Sequence, residues 1–142
     1  MKSLAVIFNQ SSAIYMLGVI WVSHLIHYPS FSNISESAFQ QFHNQHTSAM
    51  GLIVGPIMVI ELLASIWLLN AEANMFSISN LIIVLGLWLL TFFVSVPLHN
   101  KLAVEQDFSV IQKLILTNWP RTVLWTLRAL LSSYLTLRHF NP

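Results

Sequence analysis

The chain has 142 residues, of which 56% are apolar and only 8% are charged, with a mean hydropathy of +0.69. A soluble domain carries about 25% charged residues to cover its surface, so these numbers exclude an ordinary water-soluble globule, and equally a disordered chain. Six basic against five acidic residues leave a net charge of +1, with no basic footprint for nucleic acid. No cysteine is present, which removes disulfides, thiolate metal sites and cysteine nucleophiles.

Four apolar segments follow one another, each near the ~20 residues that cross a bilayer. The first, about 4–27, is interrupted by Asn9, Gln10, Ser11 and Ser12. Lys2 resembles the basic start of a signal peptide, but that polar tetrad and the lack of a small-residue cleavage site argue for a retained span. Tyr28-Pro29 is expected to end the helix, because the residue before proline is pushed out of the α region. The second span covers about 47–69, its helix starting as early as Ile34, with Asn33 and Glu36 as a capping pair. The third covers about 78–98. The fourth covers about 120–137, capped by Asn118 or Trp119, with Pro120 in the first turn. Between the last two, 101–117 reads as a helical extension or an interfacial helix.

The expected fold is all-α, an antiparallel four-helix transmembrane bundle forming one integral-membrane domain over 1–142. Its environment is the lipid bilayer, the inner membrane if the cell is bacterial. Lys2 and Arg138 on one side against Lys101, Lys113 and Arg121 on the other lean towards both termini outside. A homo-oligomer is left open.

Six histidines outnumber the carboxylates. Alternating topology brings His24 and His27, His43 and His46, and His99 to one mouth of the bundle, and sends His139 to the other. Each i,i+3 pair should share a helix face. Imidazoles converging from three helices suit a metal ion, iron or copper first and zinc next; haem, which needs one or two axial histidines, uses fewer of them. Histidine at helix ends also suits the headgroup region, which is the plainer reading.

Glu61 is an ionisable residue deep in a span, and such residues are functional candidates because the bilayer makes them costly. It lies about 22 Å along the helix from His46, level with Ser11 and Ser12. It is therefore expected in a polar layer with Gln10, Ser11 or Ser12, outside any metal shell. Arg121, Trp125, Arg128 and Ser132 form one stripe of the fourth helix, expected to face inward, with Arg128 near the level of His24. A guanidinium there calls for an anion, either Glu61 or a substrate oxygen.

The stretch Val96-Pro97-Leu98-His99-Asn100-Lys101-Leu102, followed by Asn118-Trp119-Pro120-Arg121, resembles the small four-helix membrane proteins of the anthrone-oxygenase-like family. Pro97, Leu102, Asn118 and Arg121 match a Pro-x-Asn-x-x-Leu element after the third helix and an Asn-x-x-Arg element opening the fourth. His99 stands where that family has asparagine, and the other clustered histidines fall outside its pattern. The resemblance implies an integral-membrane oxidoreductase using dioxygen on a lipophilic, aromatic substrate. In such an enzyme Arg121 or Arg128 is expected to stabilise developing negative charge on substrate oxygen, with Asn118 as a further catalytic candidate. The added histidines suggest a recruited metal. The alternative is a non-catalytic haem- or quinone-binding subunit or an assembly factor.

Overall fold

The computed structural model describes residues 2–141. Four long helices account for nearly all of it: α1, Lys2–Asn33; α2, Glu36–Ala71; α3, Met75–Leu102; and α4, Phe108–Phe140. They run up and down in sequence order, α1 packing on α2 and α4, and α3 closing the square between the same two. The first three are long and apolar enough to cross a membrane, and the protein is an antiparallel, multi-pass bundle.

The surface and interior are inverted relative to a soluble bundle. Leu25, Leu52, Leu63, Phe93, Leu116 and Leu130 point outward, while Asn9, Glu61, Asn80, Asn118, Arg121 and Arg128 are buried. Lipid is as apolar as leucine, so the bundle is held by close packing and interhelical hydrogen bonds, not by hiding oil from water. Three apolar layers provide the packing. Phe31, Phe39, Leu102 and Ile111 fill one end, Met16, Met58, Leu87 and Trp125 the middle, and Ala5, Leu68 and Leu135 the other end.

Prolines do not end helices where the sequence suggests. Tyr28-Pro29 lies inside α1, which continues to Asn33. The accommodating device is a π-turn at Ser23–His27, in which the Tyr28 N–H reaches back to Ser23 O. A second π-turn, Thr91–Ser95, precedes Pro97 in α3, with Val96 N–H bonded to Thr91 O. The extra residue in each turn takes up the backbone bond that a following proline cannot make.

Helix starts also differ from expectation. Ser35, not Asn33, precedes α2, and it makes no side-chain cap. Asp107, not Asn118 or Trp119, caps α4: its carboxylate accepts from Ser109 N at 2.7 Å and Val110 N at 3.2 Å. Pro120 therefore lies within α4. The stretch 108–117 is a helical extension of α4, with Val110, Ile111 and Leu114 buried against Phe31 and Phe39. At the start of α3, Asn74 and Ser77 cap each other reciprocally.

Candidate functional site

All four helices meet in a buried polar layer. Arg128 Nη1 donates to Glu61 Oε1 at 2.6 Å, and Trp125 Nε1 donates to Glu61 Oε2 at 3.2 Å. Asn9 is the hub: its Oδ1 accepts from Arg128 Nη2 at 3.0 Å and Asn80 Nδ2 at 3.1 Å, and its Nδ2 donates to Ser132 Oγ at 2.9 Å. The low dielectric makes each bond strong and each missing bond expensive. The expected partners of Glu61 are elsewhere: Gln10 donates to Ser133, Ser12 bonds its own helix at Asn9 O, and Ser11 is exposed. It is Asn9, one turn away, that faces inward. Arg128 lies level with Asn9, well below His24, because α4 starts twelve residues earlier than Pro120.

Towards the other end, four imidazoles lie in a row. Ring centroids are 5.4 Å apart for His27 and His46, 5.9 Å for His46 and His99, and 5.4 Å for His99 and His43. His43 Nε2 and His99 Nδ1 are hydrogen-bonded at 3.2 Å, and His99 Nε2 meets the Tyr28 hydroxyl at 3.5 Å. One proton bridges the two rings, so whichever tautomer is present, His43 Nδ1 is left buried without a partner, as is His27 Nδ1. Contacts run from each ring to the next along the row, and among the described residues no three His, Asp or Glu side chains are grouped to hold one metal ion.

His24 does not join the row. Its Nδ1 is 3.3 Å from Asn118 Nδ2, and its ring packs 4.3 Å from that of Trp119, in the seam between α1 and α4. The π-turn explains the divergence, since with more residues per turn His24 and His27 no longer share a face. His43 and His46 sit on ordinary α-helix and both face His99. His139 bonds Ser3 at the opposite end, at 3.0 Å.

A cavity of about 360 Å³ lies between α2 and α3 beside this row. His43, His46, His99 and Arg121 line one end, and Val54, Met58 and Phe92 belong to its apolar walls. Gly51, Gly55, Phe92 and Val96 are exposed lining residues on the apolar, lipid-facing side, and Asn100 and Ala103 are exposed at the end of α3. Gly51 and Gly55 leave open space: a Cβ at either would meet nothing within 4 Å. The size falls in the range of small-molecule pockets, which combine apolar walls with a few placed polar groups.

Arg121 is fixed at the polar end. Its Nη1 donates to Ser95 Oγ at 2.8 Å and Asn118 Oδ1 at 3.0 Å, and its guanidinium lies 5.2 Å from the centre of the Trp125 ring. Ser95 closes the second π-turn, so that turn places both Ser95 and, one helical turn on, His99. Asn118 thus holds Arg121 and does not line the cavity, and Arg128 is held by Glu61 below it. Tyr28, Ser95 and Asn9 carry contacts that single-residue reasoning passes over, since tyrosine, serine and asparagine are common at such positions. The signal available for Tyr28 and Ser95 was their four-residue spacing from His24 and His99, and for Asn9 its place in the polar tetrad of the first span. No family model, curated protein or solved structure matches the chain.

Proposed function

We propose that the chain is a membrane-embedded, metal-dependent oxidoreductase that takes a lipophilic, aromatic substrate from the bilayer and reacts it with dioxygen. The observation that carries this reading is the cavity between α2 and α3, which joins apolar walls, exposed in part on the lipid-facing side, to three imidazoles at one end. The donor set suits iron or copper, for which imidazole is a good ligand. His43 Nε2 and His99 Nδ1 are 3.2 Å apart, close to the ~3.3 Å between two ligands of a tetrahedral ion with bonds of about 2.0–2.1 Å. His46, with no hydrogen bond of its own to give up, would be the third donor only by moving towards that pair, since among the described residues no three such side chains are grouped for one ion; His27 lies next in the row. The metal would supply dioxygen activation; the chain's own residues bind the substrate, exclude water from it and fix its polar end.

A second reading rests on the same pair of rings. Where the His43–His99 hydrogen bond persists, both facing nitrogens are used, and the cavity serves a quinone-binding subunit without catalysis. Metal analysis of detergent-purified protein, with oxygen uptake on a reduced naphthoquinone as probe, tests the two. Near-stoichiometric iron or copper with metal-dependent uptake supports the oxidoreductase. Metal-free protein that binds the quinone without oxygen uptake refutes it.

A further inference from the structure

Charge inside this bundle does not balance. Arg121 and Arg128 are buried, at 6% and 0% exposed, and Glu61 is the one buried carboxylate among the described residues. Arg128 takes it. The other ion pair among those residues is Lys2 with Glu72, while Glu36 and Glu105 are exposed and Asp107 is used at the cap of α4. Arg121 is therefore a buried guanidinium with no anion beside it among the described residues, an arrangement that costs several kcal/mol if left so (~3–5 when a buried partner is removed).

The unused part of that guanidinium is specific. Nη1 is occupied by Ser95 and Asn118. Nε is buried without a partner, and Nη2 makes no hydrogen bond to the described residues. Nε–H and Nη2–H lie side by side and form the edge that receives both oxygens of a planar anion. Ser95, Asn118 and the Trp125 face hold the group in place, so little ordering is needed on binding. Arg121 lines the cavity, as do Gly51 and Gly55, where an added Cβ would meet nothing within 4 Å.

We propose that the cavity binds a lipophilic organic monoanion, its planar oxyanion seated on the Nε/Nη2 edge of Arg121 and its apolar body lying against Gly51 and Gly55 towards the lipid. This names the substrate class of the oxidoreductase site and rests on that reading only for the chemistry after binding. A small amphiphilic acid and the phosphate of an anionic phospholipid share the recognising chemistry. The small acid is favoured because the apolar part of the cavity accommodates a compact body beside the charge.

The test uses full-length, chelator-treated protein in nanodiscs of phosphatidylcholine, with radiolabelled decanoate as probe and empty nanodiscs as background. Saturable binding near one per chain is expected, displaced by unlabelled decanoate and not by 1-decanol. Arg121→Gln should weaken it about tenfold or more, Arg121→Lys should recover part of it, and Arg138→Gln should leave it unchanged. Gly55→Leu, which fills the apolar part without touching Arg121, should also weaken it and serves if the Arg121 variants fail to fold. Equal displacement by decanol, or wild-type binding in Arg121→Gln and Gly55→Leu, overturns the proposal. Loss of decanoate binding when phosphatidylglycerol is included assigns the site to a lipid headgroup and overturns the choice of a small acid. Because the assay needs neither metal nor turnover, anion binding without metal would sink the oxidoreductase alone, and metal-dependent activity without anion binding would sink this inference alone.

Discussion

The guanidinium of Arg128 meets the carboxylate of Glu61 at 2.6 Å with both side chains closed off from the surroundings. Trp125 and Asn9 complete the pair's hydrogen bonds, so the ions are a satisfied unit and not two isolated charges. A buried pair is a poor source of net stability against an apolar replacement, yet losing one member is severe.

Arg128→Met and Glu61→Met are each expected to cost about 3–5 kcal/mol, and the double variant less than the sum. Thermal unfolding in detergent, arranged as a double-mutant cycle, measures the coupling. Arg138→Met, at the exposed end of α4, should cost far less; equal costs for Arg128 and Arg138 would show that the inward pair contributes nothing special.

Metal stoichiometry should separate the histidines. Changing His43, His46 or His99 to alanine is expected to lower bound metal and activity together, because an incomplete ligand set loses affinity steeply. His27→Ala, next in the row, should do so to a similar or smaller degree. His24→Ala and His139→Ala should retain the metal, as should Glu61→Gln, whose carboxylate belongs to the layer below. Elemental analysis of each purified variant checks the pattern, and uniform retention would remove the metal from the reading.

The glycines of α2 facing the cavity should tolerate alanine. With nothing within 4 Å of a Cβ at Gly51 or Gly55, and alanine the better helix former by roughly 0.5–1 kcal/mol, both alanine variants are expected to be as stable as the parent or more so. A drop in unfolding temperature for either would mean that the open space is occupied in the membrane.

The cap of α4 has a pH signature. Hydrogen bonds from the Ser109 side chain and backbone, and from Val110 N–H, hold the Asp107 carboxyl below its ordinary value of 3.8. A depressed carboxylate stabilises the folded state fully above its unfolded value and loses that contribution as pH falls through the folded one. The unfolding temperature of the parent should therefore fall towards that of Asp107→Ala as pH drops from about 5 to below the ordinary carboxylate range. A gap that stays constant over this range would show that the charge of Asp107 plays no part.

Helix number, order and inward stripe were legible in the residues. Hydropathy alone separates the four apolar segments, and the stripe Arg121, Trp125, Arg128 and Ser132 is buried throughout, as its spacing requires. Ends were less legible. Pro29 and Pro120 carry the local chemistry of helix boundaries, and in a bundle with no competing water the backbone continues through both. The π-turns left no distinct mark beyond the prolines that follow them, and one of them turns His24 away from His27. The site was partly readable: topology alone puts His27, His43, His46 and His99 at one end, whereas the cavity depends on two glycines and on which edge of Arg121 is left free.

The polar layer also governs how the chain can enter a membrane. α1 to α3 are apolar enough to cross a membrane, but α4 brings Arg128 into the middle of the bundle, where an arginine costs about 2.5–3.5 kcal/mol. Arg128 recovers that cost only where α2 already presents Glu61 and α1 presents Asn9. The pairing of Arg128 with Glu61 and Asn9 thus ties the last helix to the first two, and its cost in the bilayer is offset only when all three are together. Removing the charge of Glu61 therefore weakens the docking of the last helix, which is the step that completes the bundle.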